Sequence, residues 1–76
     1  MKKDIKNFEL WVGDIAMARV SRNHIPYIEV AYLKNPDLRA LYTFKTCEFV
    51  SGNIHERDIP YVTDKVKRNE RFLRKG

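Results

Sequence analysis

Apolar and polar positions alternate along much of the first two-thirds of the chain, and the last third changes to a helical period. Alternation is densest from His24 to Leu33. There Ile28, Val30 and Tyr32 share one face of an extended strand, and Tyr27, Glu29, Ala31 and Leu33 share the other. Only Glu29 in this stretch is charged, which predicts a central strand with neighbours on both edges and cover on both faces.

Upstream, Phe8 to Val12 alternates, Gly13-Asp14 supplies a two-residue turn, and Ile15 to Val20 continues. Pairing across that turn sets Val12 opposite Ile15, Leu10 opposite Met17 and Phe8 opposite Arg19 on one face. Glu9, Trp11, Ala16, Ala18 and Val20 fall on the other. The rival is a short helix capped by Asp14, because Ile15-Ala16-Met17-Ala18-Arg19 contains good helix formers. Ser21 to Pro26 reads as a polar connection, and Lys34-Asn35-Pro36-Asp37 as a β-turn. Arg39 to Val50 is long for one strand. It predicts either one bulged strand or two, Ala40–Phe44 and Cys47–Val50, bending near Lys45-Thr46.

In the last third Ile59, Val62, Val66 and Leu73 recur at helical spacing with Phe72 beside them. Asp58 is placed to cap this helix, and Pro60 is tolerated in its first turn. The pattern predicts a single α+β domain over residues 1–76. It has a small antiparallel sheet of four or five strands, one C-terminal helix packed on it, and a frayed lead-in over 1–7.

Size bounds what this domain can do. Folding at 76 residues buries roughly 60% of the chain's surface, so stability is marginal, and a homodimer is one source of further buried area. The single Cys47 excludes an internal disulfide and reads as a buried thiol. Two histidines provide no ligand set for a structural zinc, and no cofactor motif is present. A metal site from His24, Glu29, Cys47, Glu48 and His55 lacks ligand spacing. The N-terminus reaches a charged alternating segment instead of an apolar run, so neither a signal peptide nor a membrane span is expected, and a cytoplasmic protein is.

Charge is distributed unevenly. Residues 1–63 hold nine Lys/Arg against eight Asp/Glu, and residues 64–76 hold six against two, so +4 of the net +5 lies in the last thirteen residues. Lys67, Arg68, Arg71, Arg74 and Lys75 form a basic helical stripe suited to nucleic-acid phosphates or an acidic protein surface. A plainer reading is that cations near a helix C-terminus complement the macrodipole and keep one face solvated. No aromatic residue is read as alternating with these charges. Trp11, Tyr27, Tyr42 and Tyr61 could instead form a platform on the outer sheet face, or serve as core. Trp11, which the hairpin points away from Leu10 and Val12, is the first candidate for binding.

No clean catalytic constellation emerges. A metal-independent ribonuclease would use His24 or His55 as acid or base, Arg22 or Arg57 to stabilise a phosphorane, and Tyr27 or Tyr61 to orient substrate. His24 precedes the central strand and His55 precedes the helix, so both could meet at one end of the sheet.

From Ser21 to Arg74 the order of features resembles a family of small uncharacterised bacterial proteins classed only as a domain of unknown function. The matching pieces are Asn23-His24-Ile25-Pro26-Tyr27-Ile28-Glu29-Val30, Ser51-Gly52, and Val62, Val66, Asn69 and Leu73. The family's Pro-Pro pair and further histidines are replaced here by a single Pro26 and by Tyr27 and Glu29. A histidine role carries over at His24 alone. Such genes often lie beside another small gene, as in toxin–antitoxin pairs. The resemblance therefore implies a small non-enzymatic regulatory or interaction protein of such a module or of a mobile element. The toxin-like ribonuclease and a phage-encoded inhibitor of a host nucleic-acid-handling complex are the alternatives.

Overall fold

The computed structural model describes the backbone of residues 5–75 and the side chains through Leu73. The first four residues of the expected lead-in lie outside the described residues, and Ile5–Asn7 form a 3₁₀ turn. Strands β1 (Leu10–Val12), β2 (Ile15–Arg22), β3 (Ile25–Tyr32), β4 (Arg39–Thr43) and β5 (Phe49–Gly52) make one antiparallel sheet in the order of the chain. Helix α1 (Ile59–Lys75) follows, giving the α+β arrangement expected. Strand β3 is the centre, paired with β2 over its full length and with β4 over five residues.

The β1–β2 hairpin has the predicted register, Leu10 opposite Met17 and Val12 opposite Ile15. Gly13 has φ +60°, and Asp14 has no positive φ, the pattern of a type II′ turn that matches strand twist. The helical alternative for Ile15–Arg19 is therefore excluded. Asn35 to Leu38 forms the predicted β-turn, closed by the Leu38 N–H on the Asn35 carbonyl at 2.9 Å.

Phe8 departs from expectation. The ladder ends at Glu9, whose N–H donates to the Met17 carbonyl at 3.0 Å. Its carboxylate accepts from the Arg19 N–H at 2.7 Å, where another strand residue would have offered a carbonyl. Released from the strand, Phe8 crosses to the opposite face and, with Ile5, covers Ala16, Ala18 and Ala31. Small side chains leave a shallow floor there, and the ring fills it to 3% exposure.

The connection from Ser21 to Pro26 is tighter than expected. Asn23 (φ +52°) and His24 (φ +67°) alone form the turn, both left-handed as type I′ requires. The strands consequently extend to Arg22 and Ile25, and Pro26 pairs with Ser21 inside β3. Its missing N–H would face β4, whose pairing begins one residue later at Tyr27 and Thr43, so no ladder bond is lost.

Residues 39–50 form two strands, with the second starting at Phe49. Thr43 ties the intervening loop: its carbonyl accepts from the Cys47 N–H at 2.9 Å, and its hydroxyl accepts from the Glu48 N–H at 3.0 Å. A register shift between Leu41 and Tyr42 supplies the bulge on the β4–β5 pair. At Gly52 a Cβ would lie 2.8 Å from the Ala40 Cα, so only glycine lets these strands approach.

The helix lays Val62, Val66 and Leu73 on Ile15, Met17, Ile28, Val30, Ala40 and Tyr42. Tyr42 is fully buried, and its hydroxyl meets the Thr63 hydroxyl at 2.8 Å. Two expectations at this helix are corrected. Phe72, expected beside the core, is 51% exposed because its phase differs from Leu73 by about 100°. Asp58 is not the cap. A 3₁₀ turn, Glu56–Asp58, precedes α1, and His55 caps it by accepting from the Arg57 N–H at 3.2 Å.

The two aromatic residues near the N-terminus differ in role. Phe8→Ala is expected to cost about 3 kcal/mol, lowering the thermal midpoint by about 10–20 °C. Trp11→Ala should change stability by less than about 0.5 kcal/mol. Thermal denaturation followed by circular dichroism distinguishes the two.

Candidate nucleic-acid interface

The helix is amphipathic in a way that separates its structural face from its charged one. Measured in phase from Val62, Val66 and Leu73 lie within about 40°, whereas Lys67, Arg71 and Arg68 lie at about 140°, 180° and 240°. All three basic residues are exposed, and Arg68 pairs with Asp64 at 2.9 Å, one turn earlier. Arg74 and Lys75 continue α1 at phases near 120° and 220°; their side chains lie outside the described residues. The Arg71 guanidinium sits 5.6 Å from the Phe72 ring centroid, and the Lys65 ammonium 5.5 Å from that of Tyr61.

Trp11 is elsewhere. It is 52% exposed on edge strand β1, where pairing with Ala16 places it on the sheet face away from the helix. The four-aromatic platform does not form, since Tyr42 is core, Tyr61 is on the helix, and Tyr27 is half-buried on the outer face.

The residues named for ribonuclease chemistry divide between the two ends of the sheet, Arg22, His24 and Tyr27 at one and His55, Arg57 and Tyr61 at the other. Arg22 and His24 lie at the β2–β3 turn. At the other end, the Tyr61 hydroxyl donates to Asp14 in the β1–β2 turn at 3.1 Å, and Arg57 precedes the helix. The eight-residue β3 separates the ends by about 25 Å. His24 and His55 are likewise kept apart. Among the described residues no three His, Cys, Asp or Glu side chains gather to hold a metal.

Two concavities escaped the sequence reading because each depends on cross-strand juxtaposition. One, of about 440 Å³, is lined by His24, Tyr27, Thr43, Phe44, Lys45 and other residues of the two turns at that end. The Thr43 and Thr46 hydroxyls in its wall bond one another. The other, of about 110 Å³, lies on the outer face around Glu29. That carboxylate, 6% exposed, pairs with Arg39 at 2.7 Å and Arg22 at 3.6 Å. Arg39 also lies over the Phe8 ring at 5.3 Å and donates to the Pro36 carbonyl. Its charge is thus committed to the fold.

The phenol–carboxylate hydrogen bond from Tyr61 to Asp14 fastens the start of the helix to the β1–β2 turn. Burial, followed by the charge of the Asp58 carboxylate, raises the Tyr32 pKa above the ordinary tyrosine value. Tyr61 is raised by its hydrogen bond to Asp14. Buried Tyr42 is raised as well, by desolvation. Comparison with protein-family models, curated proteins and solved structures finds no match for this chain. Among the described residues no helix is long and apolar enough to cross a membrane.

The tyrosines predict an alkaline limit. Their folded pKa values exceed the unfolded value near 10, so their stabilisation is complete below that pH. It declines as pH rises from there through the folded values. Urea midpoints measured between about pH 8 and 12 should fall across this window for the wild type, and less steeply for Tyr42→Phe and Tyr32→Phe.

Proposed function

We propose that this is a small non-enzymatic regulatory or interaction protein that binds nucleic acid through the outward face of α1. The supporting observation is the division of labour on that helix. Val62, Val66 and Leu73 satisfy the core, and Lys67, Arg68 and Arg71 stand exposed on the far side with Arg74 and Lys75 continuing the series. Cations on one face of a rigid element can follow successive phosphates and release their counterions. An acidic protein surface is the competing partner for the same charges. The resemblance to products of toxin–antitoxin-like gene pairs favours a cytoplasmic regulatory role, and an inhibitor of a host nucleic-acid complex would use the same face. A ribonuclease would draw on one end of the sheet alone, either Arg22, His24 and Tyr27 or His55, Arg57 and Tyr61.

Binding to mixed RNA and duplex DNA tests this reading. With about four phosphate contacts, affinity should fall roughly 50-fold for a single strand and roughly 150-fold for the duplex between about 50 and 200 mM salt. Replacing Lys67, Arg68, Arg71 and Arg74 together by Gln should abolish most of the binding and flatten its salt dependence. Absence of binding at low salt, or binding unaltered in that variant, would contradict it.

His24→Asn, which keeps a residue tolerant of the left-handed turn, should leave binding unchanged with no cleavage in either protein. Cleavage by the wild type that this variant lacks would instead establish the ribonuclease.

A further inference from the structure

The flank of α1 carries two large aromatic rings that the core does not use. Tyr61 is 49% exposed and Phe72 51% exposed, although Val62, Val66 and Leu73 already fill the contact with the sheet. Between them stand Lys65 and Arg68. Residues 61, 65, 68 and 72 are spaced by four, three and four, which confines them to about 60° of the helix circumference. The order along this stripe is ring, cation, cation, ring. It adjoins the basic face through Arg68, and the Arg71 guanidinium stands beside the Phe72 ring.

We infer that the nucleic acid bound by this helix is single-stranded, with bases stacked on Tyr61 and Phe72 and the intervening phosphates met by Lys65 and Arg68. This deepens the proposed function and rests on it. Phosphate contacts alone need no aromatic surface, and a paired duplex keeps its base faces turned into its own stack. An unpaired strand offers both charge and π-faces, so a stripe that presents two rings about a pair of cations matches it best. The two rings lie about 16 Å apart along the helix axis. That distance spans roughly five nucleotides at stacked spacing of about 3.4 Å, and fewer if the strand is extended. The Tyr61 hydroxyl donates to Asp14 at 3.1 Å, and the Lys65 ammonium lies 5.5 Å from its ring centroid, so ring and cation are already neighbours.

The test uses the full chain and two fluorescent probes, an oligothymidylate of about twelve nucleotides and a duplex of equal length, within the site sizes usual for single-strand binders. Anisotropy titrations at low salt should show the single strand bound at least about tenfold more tightly than the duplex. Tyr61→Leu and Phe72→Leu should each weaken single-strand binding by about fivefold, near the lower end of measured stacking contributions. Together they should remove the preference for the single strand while leaving the salt slope unchanged. Tyr61→Phe, which keeps the ring and loses the Asp14 hydrogen bond, should retain single-strand affinity. That separates stacking from a merely structural effect.

Equal affinity for both probes in the wild type, or single-strand binding untouched in the double variant, would overturn the inference and leave the proposed function standing. No binding to either probe would overturn both.

Discussion

A five-stranded sheet has two faces to cover, and this chain has one helix with which to do it. The helix takes the face built from Ile15, Met17, Ile28, Val30 and Tyr42, and it commits Val62, Val66 and Leu73 to that contact. The second face is managed by reducing what must be buried. Three alanines form a floor for the single ring of Phe8, and the middle of the face is given to the Glu29–Arg39 pair. An ion pair of this kind is seldom a net source of stability, but removing one partner would strand a buried charge. Arg39 joins the two solutions, since it pairs with Glu29 and also lies over Phe8.

The same constraint shapes the surface. Because one side of α1 is fully occupied by the sheet, the other side carries little structural duty and can hold most of the chain's excess positive charge. The hydrogen bonds of Tyr61 to Asp14 and of Tyr42 to Thr63 fix the start of the helix on the sheet, so that the exposed side chains project from a rigid element. At the far end of the sheet, His24 and Arg22 belong to a different surface. Proximity is the first requirement of acid–base catalysis; the length of β3 denies it to His24 and Tyr61, whereas His24 and Tyr27 line one cleft. A binding function makes no such demand.

Local chemistry explains which parts were legible in the sequence. The β1–β2 register followed from alternation around Gly13-Asp14, and the turn at Asn35-Pro36-Asp37 from residues that preset its dihedral angles. Val62, Val66 and Leu73 announced the inner face of the helix by spacing alone. The position of Phe8 was not legible, because it depends on the Glu9 carboxylate taking over a ladder hydrogen bond from β2. The turn at Asn23-His24 was obscured by Pro26, which is harmless only because β4 begins one residue later. The stripe of Tyr61, Lys65, Arg68 and Phe72 was present as a spacing of four, three and four. Phe72 adjoins Leu73 in sequence, so spacing alone groups it with the core and conceals the stripe. The clefts near His24 and Glu29 required knowledge of which strands pair.

The most direct test of the account is a map of the contact surface. Backbone amide chemical shifts of the isotopically labelled protein, recorded during titration with a short single strand, would supply it. Perturbations concentrated between Tyr61 and Lys75, with Trp11 and the His24 cleft unaffected, are the predicted result. Perturbations centred on the outer sheet face around Trp11 or on the cleft at His24, with the helix silent, would contradict it.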